Sequence, residues 1–193
     1  MKKDLSKMTL EELWRLFPII LKEHNPDYKN WYLEEKENLI NGIGKQTIKR
    51  INHIGSTAVE GLIAKPTIDI LLEIDKNCDI NQLKEKLTRL NWILMSYENT
   101  PNLKMVFNKG YTPDGFLEKV YHLHVRYLEN WEELYFRDYL IFHKNIANEY
   151  GKLKTSLLKK YKHNRDGYTQ AKTDFIKKYT ALAKKEFKNK YLL

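Results

Sequence analysis

Asp69 stands in the run PTIDILLEI with isoleucines on either side. A carboxylate in a buried strand is costly unless a cation, a metal or hydrogen-bond donors surround it. Asp69 is therefore read as a metal ligand or an acid–base group, with a structural ion pair as the alternative. Glu73 shares its strand face, but four residues of strand span about 13 Å, too far for one ion. His122 and His124 lie two apart in KVYHLHVRY, a rise of about 6.6 Å along a strand. That spacing allows two imidazole ligands on zinc, iron or nickel, or one acid–base histidine with a hydrogen-bonding partner. Arg126 follows on the same face, and His53 is a further candidate. Gly55-Ser56-Thr57 is a run of small residues whose backbone could approach a phosphate. It lacks the second glycine and the Lys-Ser/Thr pair of a Walker loop, and Ser56 or Thr57 could equally cap a turn. Tyr168 and Lys172, spaced i and i+4, are expected on one helix face, with Lys172 as a phosphate contact or an ordinary surface pair.

These residues need elements to hold them. SKMTLEELWRLF reads as a first helix capped by Ser6 or Thr9, and NPDYKNWYLEEKENLINGIG as a second, with Asn25 as cap and Gly42 or Gly44 at its end. TIKRINHI is expected as a strand. PTIDILLEI follows, with Ile68, Ile70, Leu72 and Ile74 on one face and Thr67, Asp69, Leu71 and Glu73 on the other. Asp79 should cap a helix whose stripe is Ile80, Leu83, Leu87 and Leu90. WILMSYE and LKMVFNK read as strands, GYTPDG as a loop, and KVYHLHVRY as a strand with its histidines and Arg126 on the polar face. From Trp131 onward the pattern is helical with a break at HNRDGY. The order predicts an α+β fold with a mixed or antiparallel sheet flanked by helices. It is read as one domain over residues 1–193, with a sheet core to about residue 130 and a helical part from about 131 to 193.

Composition narrows the function classes. The chain of 193 residues carries one cysteine, Cys78, which excludes an internal disulfide framework and suits a reducing cytoplasm. No apolar run reaches membrane-spanning length, and the N-terminus shows no signal-peptide pattern. The net charge of +9 is concentrated at one end: residues 151–193 hold 13 Lys+Arg against 3 Asp+Glu. That segment reads as a solvated lysine-rich surface, or as a contact for phosphates, nucleic acid or an acidic partner.

With HIGSTAVEGLIAKPTIDI, FLEKVYHLHV, FRDYL and YTQAKTDFI in this order, the chain resembles the GrpB family over nearly its whole length. Glu60 departs from the pattern, standing where the family's turn is expected to have proline. The resemblance implies a nucleotidyltransferase-like fold. In that superfamily a Gly-Ser pair lies beside a triphosphate, two carboxylates one residue apart on the next strand bind magnesium, and a later strand adds a third acid. Gly55 and Ser56 match the first element and Asp69 one carboxylate. The partner position is Leu71, and the later strand offers His122 and His124. Family members also occur fused to a dephospho-coenzyme A kinase domain.

The resulting expectation is a protein that binds a nucleotide or another phosphorylated small molecule and transfers a nucleotidyl or phosphoryl group. Gly55, Ser56, Thr57, Lys65, Arg126, Arg137, Tyr168 and Lys172 would contact the ligand. Asp69, His122 and His124 would hold magnesium, manganese or zinc, or carry the acid–base work. Leu71 leaves open whether the chain is an enzyme. The alternatives are a non-catalytic nucleotide- or coenzyme A-related binding module, and an RNA-associated protein using its basic C-terminal helices.

Overall fold

The structure, a computed structural model, describes residues 3–192. Its centre is a five-stranded sheet in the order β1-β2-β5-β4-β3, formed by β1 (Ile48–Ile54), β2 (Ile68–Ile74), β3 (Ile93–Glu98), β4 (Lys104–Thr112) and β5 (Gly115–Tyr127). β2 and β5 run parallel and the other pairs antiparallel, so the sheet is mixed and the α+β expectation holds. The predicted alternation of β2 is also present. Ile68, Ile70, Leu72 and Ile74 enter the main core with Leu123 and Val125 of β5. Asp69, Leu71 and Glu73 face the other way.

Helices cover both faces. On the main-core side pack α2 (Tyr28–Ile43) and α3 (Ile80–Arg89). Gly44, at φ 97°, ends α2 as expected, but that helix starts at Tyr28 because Asn25 closes a local turn onto Asp27 instead of capping it. Asp79 caps α3 by accepting from the backbone N–H groups of Asn81 and Gln82. The first helix, α1 (Leu10–Leu16), takes Thr9 as its cap, with Glu12 returning the bond in a capping box. On the opposite side lie α4 (Glu132–Phe142), α5 (Lys144–Tyr161), α6 (Arg165–Gln170) and α7 (Thr173–Glu186). α4 packs on β1 and on α7. Among the described residues no helix is long and apolar enough to cross a membrane.

Two expectations change. GYTPDG is mostly strand: Tyr111 pairs with Phe116 and Thr112 with Gly115, so the hairpin between β4 and β5 continues almost to its tip. Gly110, at φ 92°, marks the register shift in β4, and a side chain there would collide with the Lys119 carbonyl. Tyr168 and Lys172 also do not share one helix, because α6 ends at Gln170 and Lys172 is the N-cap of α7. They still meet, with Lys172 Nζ 4.4 Å from the Tyr168 ring centroid.

Candidate functional site

The parallel register places Asp69 of β2 directly beside His122 of β5. His122 Nδ1 lies 3.1 Å from Asp69 Oδ1, and His124 Nε2 lies 3.7 Å from the same oxygen. Burial disfavours an ionised Asp69, yet the hydrogen bond from His122 and the nearby His124 outweigh it and hold the carboxyl well below the usual carboxylate range. An ionised carboxylate only accepts. The proton on His122 must therefore sit on Nδ1. Burial also lowers the pKa of His122, against the opposing pull of Asp69, so the ring is neutral at pH 7 and Nε2 is an acceptor. Tyr111 OH, 2.7 Å away, donates to it, and Arg165 Nη2 donates to the Tyr111 oxygen at 3.4 Å. The result is a directional chain, Tyr111 to His122 to Asp69.

Gly55, at φ 71°, backs the carboxylate; any Cβ there would collide with Asp69 Oδ2. The glycine is needed both for its backbone conformation and for this close approach. The next residue, Ser56, receives a hydrogen bond from Lys154 Nζ at 3.0 Å, and the same ammonium donates to the Ile63 carbonyl. Lys154 is 3% exposed. Burial lowers its pKa to about 7, helped by the neighbouring charges of Lys172 and Lys65. Lys172 is lowered to about 8 by burial and by Lys65. Lys65 is lowered too, by burial and then by Arg165, with Asp69 opposing. Lys65 and Lys172 act on Asp69, Lys154 holds the neighbouring Ser56 and Arg165 holds Tyr111, and among the described residues none of the four forms a salt bridge with another acid. Tyr168 adds a buried hydroxyl with no hydrogen-bond partner among the described residues, its pKa pushed up to about 12 by burial.

Two cavities flank this cluster. Ser56, Asp69, His124 and Tyr150 line one of about 600 Å³. Lys65, Tyr111 and Arg165 line another of about 470 Å³, together with Phe17, Trp31 and Phe116. The Tyr111–His122–Asp69 chain thus begins in one cavity and ends in the other.

Other candidates are engaged elsewhere. Thr57 is buried and donates to the Thr67 carbonyl at 3.0 Å, while His53 Nε2 donates to its oxygen. Its hydroxyl thus pins the 3-10 turn Ser56–Ala58 to the chain entering β2. His53 stacks on Tyr32, and burial lowers its pKa to about 4. Arg126 is buried and donates to the Met105 and Val125 carbonyls. Arg137 is fixed by Asp138, Asn52, the His53 carbonyl and Tyr191. Thr57, Arg126 and Arg137 therefore tie elements together, and Arg126 also lines the cavity of about 600 Å³ beside Asp69.

The metal expectation also changes. Leu71 is fully buried, packed with Ile54 and Leu134, so the carboxylate pair that the resemblance calls for is absent at this position. His122 has both ring nitrogens engaged, and among the described residues no group of three His, Cys, Asp or Glu side chains is arranged to hold an ion. The residues present do not fit a two-magnesium clamp. Sequence reasoning missed Lys154, Tyr111 and Arg165. Lys154 lay hidden among the lysines of the basic segment, Tyr111 in an apparent loop, and Arg165 in an apparent helix break. The buried apolar positions around Lys154, Ala147, Tyr150 and Gly151, were the one signal that its helix face turns inward.

Residues 18–182 match the family model described as GrpB protein. The glutamate-rich protein GrpB of Alkalihalophilus pseudofirmus is 35% identical over 162 residues, covering 82% of this chain and 91% of that protein. Protein YqkA of Bacillus subtilis is 33% identical over 80% of this chain, but this match spans only 44% of the Bacillus protein. A solved structure, the conserved protein GrpB from Enterococcus faecalis, superposes with a TM-score of 0.75 at 28% identity, covering 87% of this chain and 99% of that one. With the family model spanning most of its length, this chain belongs to the GrpB family.

Proposed function

We propose that this protein binds a nucleotide or another phosphorylated small molecule between the two cavities around Asp69 and His122. The observation that carries the reading is the charge balance: Lys65 and Lys172 act on Asp69, Lys154 holds Ser56 next to it, and Arg165 holds Tyr111 of the histidine chain. Buried cations without acidic partners are costly, and an anionic ligand relieves that cost. Phosphate oxygens suit such a set, with Lys as a point charge and Arg as a fork. The aromatic lining of the second cavity suits an organic group attached to the phosphate. Nucleoside triphosphates or coenzyme A-like ligands should raise the melting temperature, since a ligand that binds only the native state stabilises it by mass action. Lys172→Ala and Ser56→Ala should reduce that shift. A broad nucleotide screen giving no shift in the wild-type protein would sink the reading.

A second reading, transfer of a nucleotidyl or phosphoryl group, is favoured by the Tyr111–His122–Asp69 chain. As an acceptor hydroxyl attacks phosphorus, Tyr111 would take its proton and pass its own to His122 Nε2, while Asp69 stabilises the imidazolium. The leaving phosphate departs as the new ester bond forms. His122→Gln should then remove turnover of labelled nucleotide while leaving binding within about threefold. Turnover surviving that change would place the chemistry elsewhere.

A further inference from the structure

The nucleotidyltransferase pattern that this chain resembles neutralises its triphosphate with magnesium held by paired carboxylates. Here the second carboxylate position is Leu71, sealed into an apolar cluster, and positive charge arrives from elsewhere in the chain. Lys65 precedes β2, Lys154 lies on α5, Arg165 on α6 and Lys172 at the start of α7. Lys154 reaches Ser56 of the Gly-Ser turn, Arg165 reaches Tyr111 and so the histidine chain, and Lys65 and Lys172 feel the charge of Asp69. Four fixed cations stand where two mobile ones would be needed.

We propose that these four side chains replace the divalent metal, so that the pocket takes a polyphosphate group as the free anion. The inference rests on the phosphorylated-ligand reading and specifies its class: at least a diphosphate, bound without magnesium. A diphosphate or triphosphate brings more negative charge to these cations than a single phosphate does, and its length lets it reach from Ser56 towards Tyr111. Three conditions belong to the mechanism. Binding should survive removal of all divalent metal. Magnesium should compete with the lysines for phosphate oxygens and weaken binding. Asp69, the acid at the centre of the cluster, should oppose binding, whereas in a metal-dependent site the same carboxylate would be required for it.

The test is titration calorimetry with inorganic triphosphate and orthophosphate, in EDTA and in excess magnesium. In EDTA, triphosphate should bind at least tenfold more tightly than orthophosphate. Excess magnesium should weaken it by threefold or more. Asp69→Asn, which keeps size and the hydrogen bond to His122, should bind triphosphate in EDTA at least threefold more tightly than wild type. Lys65→Ala and Lys172→Ala should each lose about tenfold. The magnesium comparison uses wild-type protein alone, so it stands even if a variant fails to fold. Triphosphate binding that appears only with magnesium, or that weakens in Asp69→Asn, overturns this inference and leaves the phosphorylated-ligand reading standing. An absence of binding by triphosphate and nucleotides under every condition overturns both.

Discussion

Arg137 and Lys154 are both cations of the C-terminal helices, the first partly buried and the second fully, and their surroundings differ in kind. Arg137 faces the Asp138 carboxylate, the Asn52 amide, the His53 carbonyl and the Tyr191 hydroxyl, and Lys190 and Tyr191 complete the shell around Asp138. Every charge there has a counter-charge within the chain. Lys154 faces a hydroxyl, a carbonyl and the Tyr150 ring, with Lys65 and Lys172 as its charged neighbours. The first arrangement is self-sufficient and holds α4 against β1 and the C-terminal turn. The second is electrostatically incomplete. A balanced cluster stabilises the native state by itself, whereas an unbalanced one weakens it until an anion arrives.

The largest effect should come from breaking the balanced cluster. Asp138→Ala would leave Arg137 with neutral acceptors only, and breaking a buried pair costs about 3–5 kcal/mol. Urea unfolding measures this directly, and a loss below about 1 kcal/mol would show that the two regions are not so different. The next effect sharpens the contrast through pH. Lys154 has a folded pKa of about 7, well below the ordinary lysine value of about 10.4. Between those values the unfolded chain binds more protons than the folded one, so stability rises with pH. Its destabilising contribution is complete below pH 7 and fades towards the unfolded pKa. Wild-type protein should therefore gain about 2 kcal/mol between pH 7 and 9 relative to Lys154→Met, which has no such proton to lose. Parallel stability curves for the two proteins would contradict the buried-lysine account. The smallest effect separates two adjacent hydroxyls. Thr57→Val removes the bond to the Thr67 carbonyl and should cost about 1 kcal/mol while leaving triphosphate affinity unchanged. Ser56→Ala should do the reverse, weakening binding with little change in the urea midpoint.

Much of the frame was legible from periodicity. The strict alternation in PTIDILLEI and KVYHLHVRY put Asp69, His122 and His124 on matching faces, because one buried sheet face leaves little freedom of register. Caps at Thr9 and Asp79 followed from local hydrogen bonding alone. What was not legible depended on distant packing. Nothing local marks Lys154 as the partner of Ser56, 98 residues away; both the inward and the outward faces of α5 carry lysines. Tyr111 sat in a proline- and glycine-rich stretch that reads as a loop, yet the hairpin carries it into the sheet. Thr57 had the right residue type for a phosphate contact, but a hydroxyl can also turn to a nearby carbonyl, and only the path of the chain into β2 decides which.

The parallel pairing of β2 with β5 has a consequence for how the molecule comes into being. Asp69 meets His122 across 52 intervening residues, which hold α3 and the β3–β4 hairpin. Long-range parallel pairing is slow because the chain loses loop entropy before it gains contacts. A slip of one residue would bring Leu123 to Asp69 and turn both histidines to the far side. The pocket thus requires the β2–β5 pair in its native register. Recovery of anion binding during refolding would time that pairing from inside the molecule, without any label attached to it.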